Sequence, residues 1–164
     1  MGLPAPAAAA LALLVTVLPV SAAQDDGLAR MASCKDSWLE WHKSEPAKFK
    51  AFADLVRADF APHGNDPFGV PKTEVSVLGL KVREAYPDSV GMGVGFSLTV
   101  DASFDEARRR MEKALGKPFA HCETGEGMRD CELGIAKERT VILMAEDKPG
   151  NRRTLIGCYY LYEK

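Results

Sequence analysis

GMGVGFSLTV, residues 91–100, runs on through DASFDEARRRMEKALG to Gly116 and decides the fold, because it reads as one strand feeding one well-capped helix. The strand alternates strictly. Met92, Val94, Phe96, Leu98 and Val100 fall on one face, and Gly91, Gly93, Gly95, Ser97 and Thr99 on the other. A period of two is the pattern of a half-buried strand. Asp101 and Ala102 turn the chain, and Ser103 with Glu106 forms the S-x-x-E capping box that opens a helix. Gly116 stands where a left-handed closing residue is wanted. Between them Phe104, Ala107, Met111, Ala114 and Leu115 make an apolar stripe. Asp105 with Arg109, and Glu106 with Arg110, are spaced as i,i+4 ion pairs, each worth about 0.2–0.5 kcal/mol.

A strand with one apolar face needs neighbours, and the chain on either side supplies them. Residues 119–123 and 130–137 read as the arms of a hairpin, with Cys131, Leu133 and Ile135 on one face. Residues 140–146 and 154–162 read as two more strands, apolar on both faces and separated by the turn DKPGN. Strands of that kind are expected centrally, with cover on both sides. Upstream, residues 73–85 read as a first strand whose apolar phase changes near Gly79, which suggests a bulge or a bend. Residues 61–72, rich in Pro, Gly, Asn and Asp, read as a loop.

Before that come two helical patterns. One begins at Ser33 and carries Trp38, Leu39, Trp41 and His42; the other is capped by Ser44, starts near Pro46 and carries Phe49, Phe52, Leu55, Val56 and Phe60. The expected order is α-α-β-β-α-β-β-β-β: an α+β domain over 33–164, its mainly antiparallel sheet served by two N-terminal helices and one inserted helix.

The N-terminal end differs in character. Residues 1–23 carry no charged side chain, 11–18 are an apolar run, and Ser21, Ala22 and Ala23 are small, which is the pattern of a signal peptide cleaved near Ala23. The run is short for a membrane span. Residues 24–32 are expected to be a flexible N-terminus. Met31-Ala32-Ser33-Cys34 loosely resembles a lipid-attachment motif, but Gln24, Asp25, Asp26 and Arg30 separate it from the apolar run.

An exported chain meets an oxidising compartment, and an even count of cysteines there implies two disulfides with three possible connectivities. Cys122 and Cys131 flank the turn-rich ETGEGMRD and can face each other across the hairpin. That leaves Cys34 with Cys158, a staple from the first helix to the last strand, which would bring Trp38 and Trp41 near Tyr160.

The composition narrows function more than it names it. A formal net charge of −2 without a basic patch speaks against nucleic acid as partner. The glycines at 91, 93 and 95 lie in a strand, not between a strand and a helix, so they are no dinucleotide fingerprint. They let another backbone approach closely, or they leave a side-chain-poor sheet face for a partner. His42, His63 and His121 are scattered, no G-x-S-x-G elbow is present, and oxidised cysteines are not nucleophiles. No catalytic, metal or cofactor residue is therefore assigned. Glu123, Glu126, Asp130 and Glu132 cluster about the hairpin. Paired carboxylates can hydrolyse glycosides, but a pinned hairpin tip reads better as a protein contact, with Glu123, Glu126, Arg129 and Asp130 as its residues.

In type the chain is similar to periplasmic inhibitor and immunity proteins: small, exported, stapled and without catalytic motifs. The reading that follows is a periplasmic or secreted binding protein acting on another protein, with no membrane attachment after cleavage. One alternative is a binder of a small apolar ligand in a cavity lined by Phe96, Met111, Met144 and Tyr159. Another is an enzyme with a cleft where His63 or His121 meets a carboxylate.

Overall fold

The computed structural model describes residues 21–91 and 93–160, with side chains in the first helix from Asp26 onward. The expected signal peptide lies outside them except for 21–23. The architecture is α+β, as the alternation and capping patterns required. Its long antiparallel strands are β4 (Leu80–Tyr86), β6 (Gly93–Asp101), β8 (Met128–Ala136), β9 (Arg139–Glu146) and β10 (Arg153–Tyr160). Shorter strands are β1 (Phe60–Pro62), β2 (Gly69–Pro71), β3 (Ser76–Val77), β5 (Ser89–Val90) and β7 (His121–Gly125). Across the sheet the order is β1-β2-β4-β6-β10-β9-β8-β7, with β3 paired to β4 and β5 to β6.

The stretch that opens the sequence reading occupies the middle of this sheet. β6 is flanked by β4 and β10, and Phe96, Leu98 and Val100 are fully buried. The helix after it is α4 (Phe104–Leu115). The Ser103 hydroxyl accepts the Glu106 N–H, and Gly116 closes the helix at φ 71°. Phe104, Ala107 and Met111 are its buried stripe. The acids of its first turn bond elsewhere than expected. Asp105 meets Arg129 at 2.8 Å, and Glu106 lies 3.9 Å from Arg152. Arg129 is drawn there because its guanidinium also sits 4.3 Å above the Phe104 ring.

Among the described residues, all four helices lie on one face of the sheet. α1 (Ser21–Ala32) packs against β3, β6 and β10. α2 (Trp38–Ser44) sets Trp38 edge-on to Tyr160 at 5.6 Å. α3 (Pro46–Asp59) sets Phe52 against Phe96 at 5.4 Å, and α4 packs against β9 and β10. Both disulfides form as the spacing suggested, Cys34–Cys158 and Cys122–Cys131. Cys34 is thus bonded within the chain, not held by a lipid.

Four local expectations are corrected. Residues 24–32 are not a loose end but most of α1, in which Leu28, Met31 and Ala32 are fully buried. These three sit at i, i+3 and i+4, so a short apolar stripe lay behind the acids Asp25 and Asp26. The strand expected over 73–85 is a hairpin: Leu78 and Gly79 take φ 56° and 70° and turn β3 back onto β4. Two successive positive φ values are the requirement of a type I′ turn, and this reversal is the physical cause of the phase change near Gly79. The loop over 61–72 contains the hairpin of β1 and β2. Ser44 does not cap α3. Its hydroxyl bonds back to the Glu40 carbonyl at 2.8 Å, and Ser37 caps α2 instead.

Tyr160 shows how dry the helix-covered face is. It is 2 % exposed, and its hydroxyl lies 3.8 Å from the Met31 sulfur, with the Trp38 backbone and the Ser37 side chain as further hydrogen-bond partners. Burial pushes its ionisation up to about 12, from an ordinary value of about 10. Folding therefore favours the neutral phenol. Its contribution to stability is complete below about pH 10 and is lost as pH rises toward the folded value. In a phenolate absorbance titration, Tyr160 is expected to ionise last and together with unfolding, and Tyr160→Phe to remove that late step. Ionisation of every tyrosine near the ordinary value would contradict this burial.

Candidate functional site

With the helices gathered on one side, the other face of the sheet carries no helix among the described residues. Register fixes what it displays. Leu155 of β10 lies opposite Met144 of β9, and Tyr159 opposite Thr140. Ile142 faces Glu132 and Met144 faces Asp130 across to β8, and β7 adds Glu123 opposite Asp130 and His121 opposite Glu132. Alternation places all of these away from the buried Val141, Leu143, Cys131 and Leu133.

The face has three zones. Over β6 it is closed. Ser97 donates to the Ser89 carbonyl at 2.9 Å and is fully buried, and the Tyr159 ring occupies the space a side chain at Gly93 would need. Here the bare glycines serve close packing. Over β9 and β10 it is open and apolar. Ile142, Met144, Leu155 and Tyr159 are half-buried, and a shallow depression of about 490 Å³ runs between Val90, Tyr159, Ile142 and Met144. Over β8 and β7 it is acidic, with exposed Glu123 and Glu132 and half-buried Asp130 in adjacent positions and Glu126 in the turn. Strands apolar on both faces were expected to be covered twice; β9 and β10 are covered once.

The four expected contact residues divide. Glu123 and Asp130 are cross-strand partners on the open face. Glu126, at φ 52°, and Gly127, at φ 75°, form the two-residue turn that joins β7 to β8. Arg129 is on the helix side, committed to Asp105 and Phe104.

The other expected sites fare differently. Phe96 and Met111 are fully buried on the helix side, whereas Met144 and Tyr159 stand on the open side. These four side chains do not line one cavity. His63 does meet a carboxylate: its Nδ1 lies 2.8 Å from Asp66 Oδ2. The pair is exposed, stacks on Phe68, and closes a turn in which the Asp66 N–H also bonds the His63 carbonyl at 3.0 Å. The pair joins the two ends of this turn, so it reads as a loop clasp. Among the described residues no group of His, Cys, Asp and Glu is arranged to hold a metal ion, and no helix is long and apolar enough to cross a membrane.

Comparison with protein families, characterised proteins and solved structures finds no match. The open face joins an apolar centre to an acidic margin.

Proposed function

We propose that this chain is exported, with its signal peptide removed near Ala23, and acts in the periplasm or outside the cell by binding another protein, in the manner of an inhibitor or immunity protein. The observation that carries this reading is the one-sided placement of the helices, which leaves Ile142, Met144, Leu155 and Tyr159 as a half-exposed apolar patch beside three carboxylates. Two disulfides fit an oxidising compartment.

Met144 is the discriminating position, because its side chain points outward from a central strand and supports no helix. Met144→Glu is expected to change stability by no more than about 1 kcal/mol while weakening capture of the partner from an envelope extract at least roughly tenfold. Unchanged capture by this variant, or no partner for the unaltered protein at any salt concentration, contradicts the proposal.

A further inference from the structure

Among the described residues the sheet ends on β7, and this edge is built differently from the opposite one. β1 has three residues and stops at Pro62, with Pro71 ending its neighbour β2; a short edge broken by proline resists further pairing. β7 has five residues, no proline, and every position exposed. Resting on the reading of a protein partner, we propose that β7 is the docking edge, and that it takes an extended segment bearing lysine or arginine at alternate positions as an added strand.

The backbone phase supports this. The Cα atoms of Cys122 and Cys131 are 4.1 Å apart, the close spacing of a pair that exchanges no hydrogen bonds, where a hydrogen-bonded pair would stand at about 5.5 Å. Thr124 and Arg129, two positions along, share that phase. The N–H and C=O groups of Cys122 and Thr124 therefore point away from β8, toward the free edge, in the spacing a further strand uses.

Charge selects the occupant. Glu123 and Asp130 stand directly opposite each other, and like charges in that position are destabilising. Neither is paired with a cation among the described residues. The Cys122–Cys131 bond lies one position away and holds the register despite this repulsion. The outward faces of β7 and β8 carry Glu123, Asp130 and Glu132 and no lysine or arginine, since Arg129 is turned to the helix side. An added strand runs about 4.8 Å from β7, so basic side chains on it fall beside this row. A second copy would bring the same acids and no compensating cation, which makes it the poorer occupant.

The test uses the whole oxidised chain and two short extended peptides, one alternating lysine with threonine and valine, the other with glutamate in place of lysine. Amide resonances of Cys122 and Thr124 are expected to shift with the lysine peptide, exchange of the Thr124 N–H to slow, and the glutamate peptide to have no effect. Thr124→Pro removes the outward N–H and leaves the ladder to β8 intact; it is expected to weaken the lysine peptide roughly tenfold or more. Glu123→Gln, which disturbs no backbone group, is expected to weaken it roughly threefold. Equal binding of the two peptides, shifts centred on Ile142 and Tyr159, or unchanged affinity in both variants overturns strand addition. Self-association that Thr124→Pro abolishes overturns it in favour of a second copy. If strand addition fails while Met144→Glu still abolishes partner capture, the binding-protein reading stands without it.

Discussion

Gly95→Ala is expected to destabilise the protein by roughly 3 kcal/mol, at a position where adding one methyl group looks innocuous in the sequence. A Cβ there would lie 2.1 Å from the carbonyl oxygen of Cys158 and 2.9 Å from Val90 Cγ1. The first of these is backbone in the neighbouring central strand, so it cannot swing aside. Relief requires β6 and β10 to part where Gly95 pairs with Tyr159. The same movement stretches the bond from the Trp38 indole N–H to the Gly95 carbonyl, now 2.9 Å, and loosens α2. Two companion variants isolate the cause. Gly93→Ala meets the ring of Tyr159, not backbone; a ring can rotate outward, so a cost of about 1 kcal/mol is expected. Gly134→Ala meets nothing within 4 Å and should stay within about 0.5 kcal/mol of the parent. Urea denaturation of the three gives the ranking. A Gly95→Ala midpoint equal to that of Gly134→Ala would show that the two central strands do not approach as described.

The glycine pattern illustrates what sequence can and cannot carry. Alternation identified the strand and both of its faces, because a period of two is a local property of the backbone. Which face receives the helices is a long-range outcome. It became legible only through Cys158, whose pairing with Cys34 brought the N-terminal helices to the face of Ile156 and Tyr160. The contact between Trp38 and Tyr160 followed from that one link. The acidic hairpin was legible as a cluster, but not the division within it. Arg129 sits between Met128 and Asp130 in sequence, and only the pleat and the Phe104 ring decide that it turns to the helices.

The misses share a cause. Helix α1, the β1–β2 hairpin and the β3–β4 turn are elements whose own sequence signals are weak. Asp25, Asp26 and Gly27 disguise the α1 stripe, and the prolines at 62 and 71 disguise β1 and β2. Leu78 at φ 56° is a residue that sequence rules assign to a turn only reluctantly. Each is held by tertiary contact, as when Leu28 and Met31 are enclosed beneath the sheet.

Removing the Cys34–Cys158 bond by changing both cysteines to alanine is expected to have the largest effect of any surgical change. The bond closes a separation of 124 residues, and in the loop-entropy model a closure of that length stabilises by about 5 kcal/mol. The Cys122–Cys131 bond, with a separation of 9, contributes about 2.5 kcal/mol on the same model. A small domain has only about 5–15 kcal/mol in total, so the long staple is decisive and the short one local. The loss has a definite place. Cys34 follows α1, is 1 % exposed, and is held at φ 57°, a left-handed conformation unusual for a residue with a side chain. Its carbonyl accepts a bond from Arg139 at 3.1 Å. Without the bond to Cys158 the chain at 34 is free to relax to an extended conformation, and α1 loses its covalent anchor to β10. Amide exchange should therefore rise first over Leu28, Met31 and Ala32, while β8 and β9 keep their protection, and the urea midpoint should fall steeply. The double variant at Cys122 and Cys131 should show the reverse: rapid exchange confined to β7 and the start of β8, with α1 still protected. If the two variants lost stability equally, or if α1 stayed protected without Cys34–Cys158, then the apolar stripe of α1 alone, and not the staple, would be what holds the helices to one face of the sheet and leaves the other open.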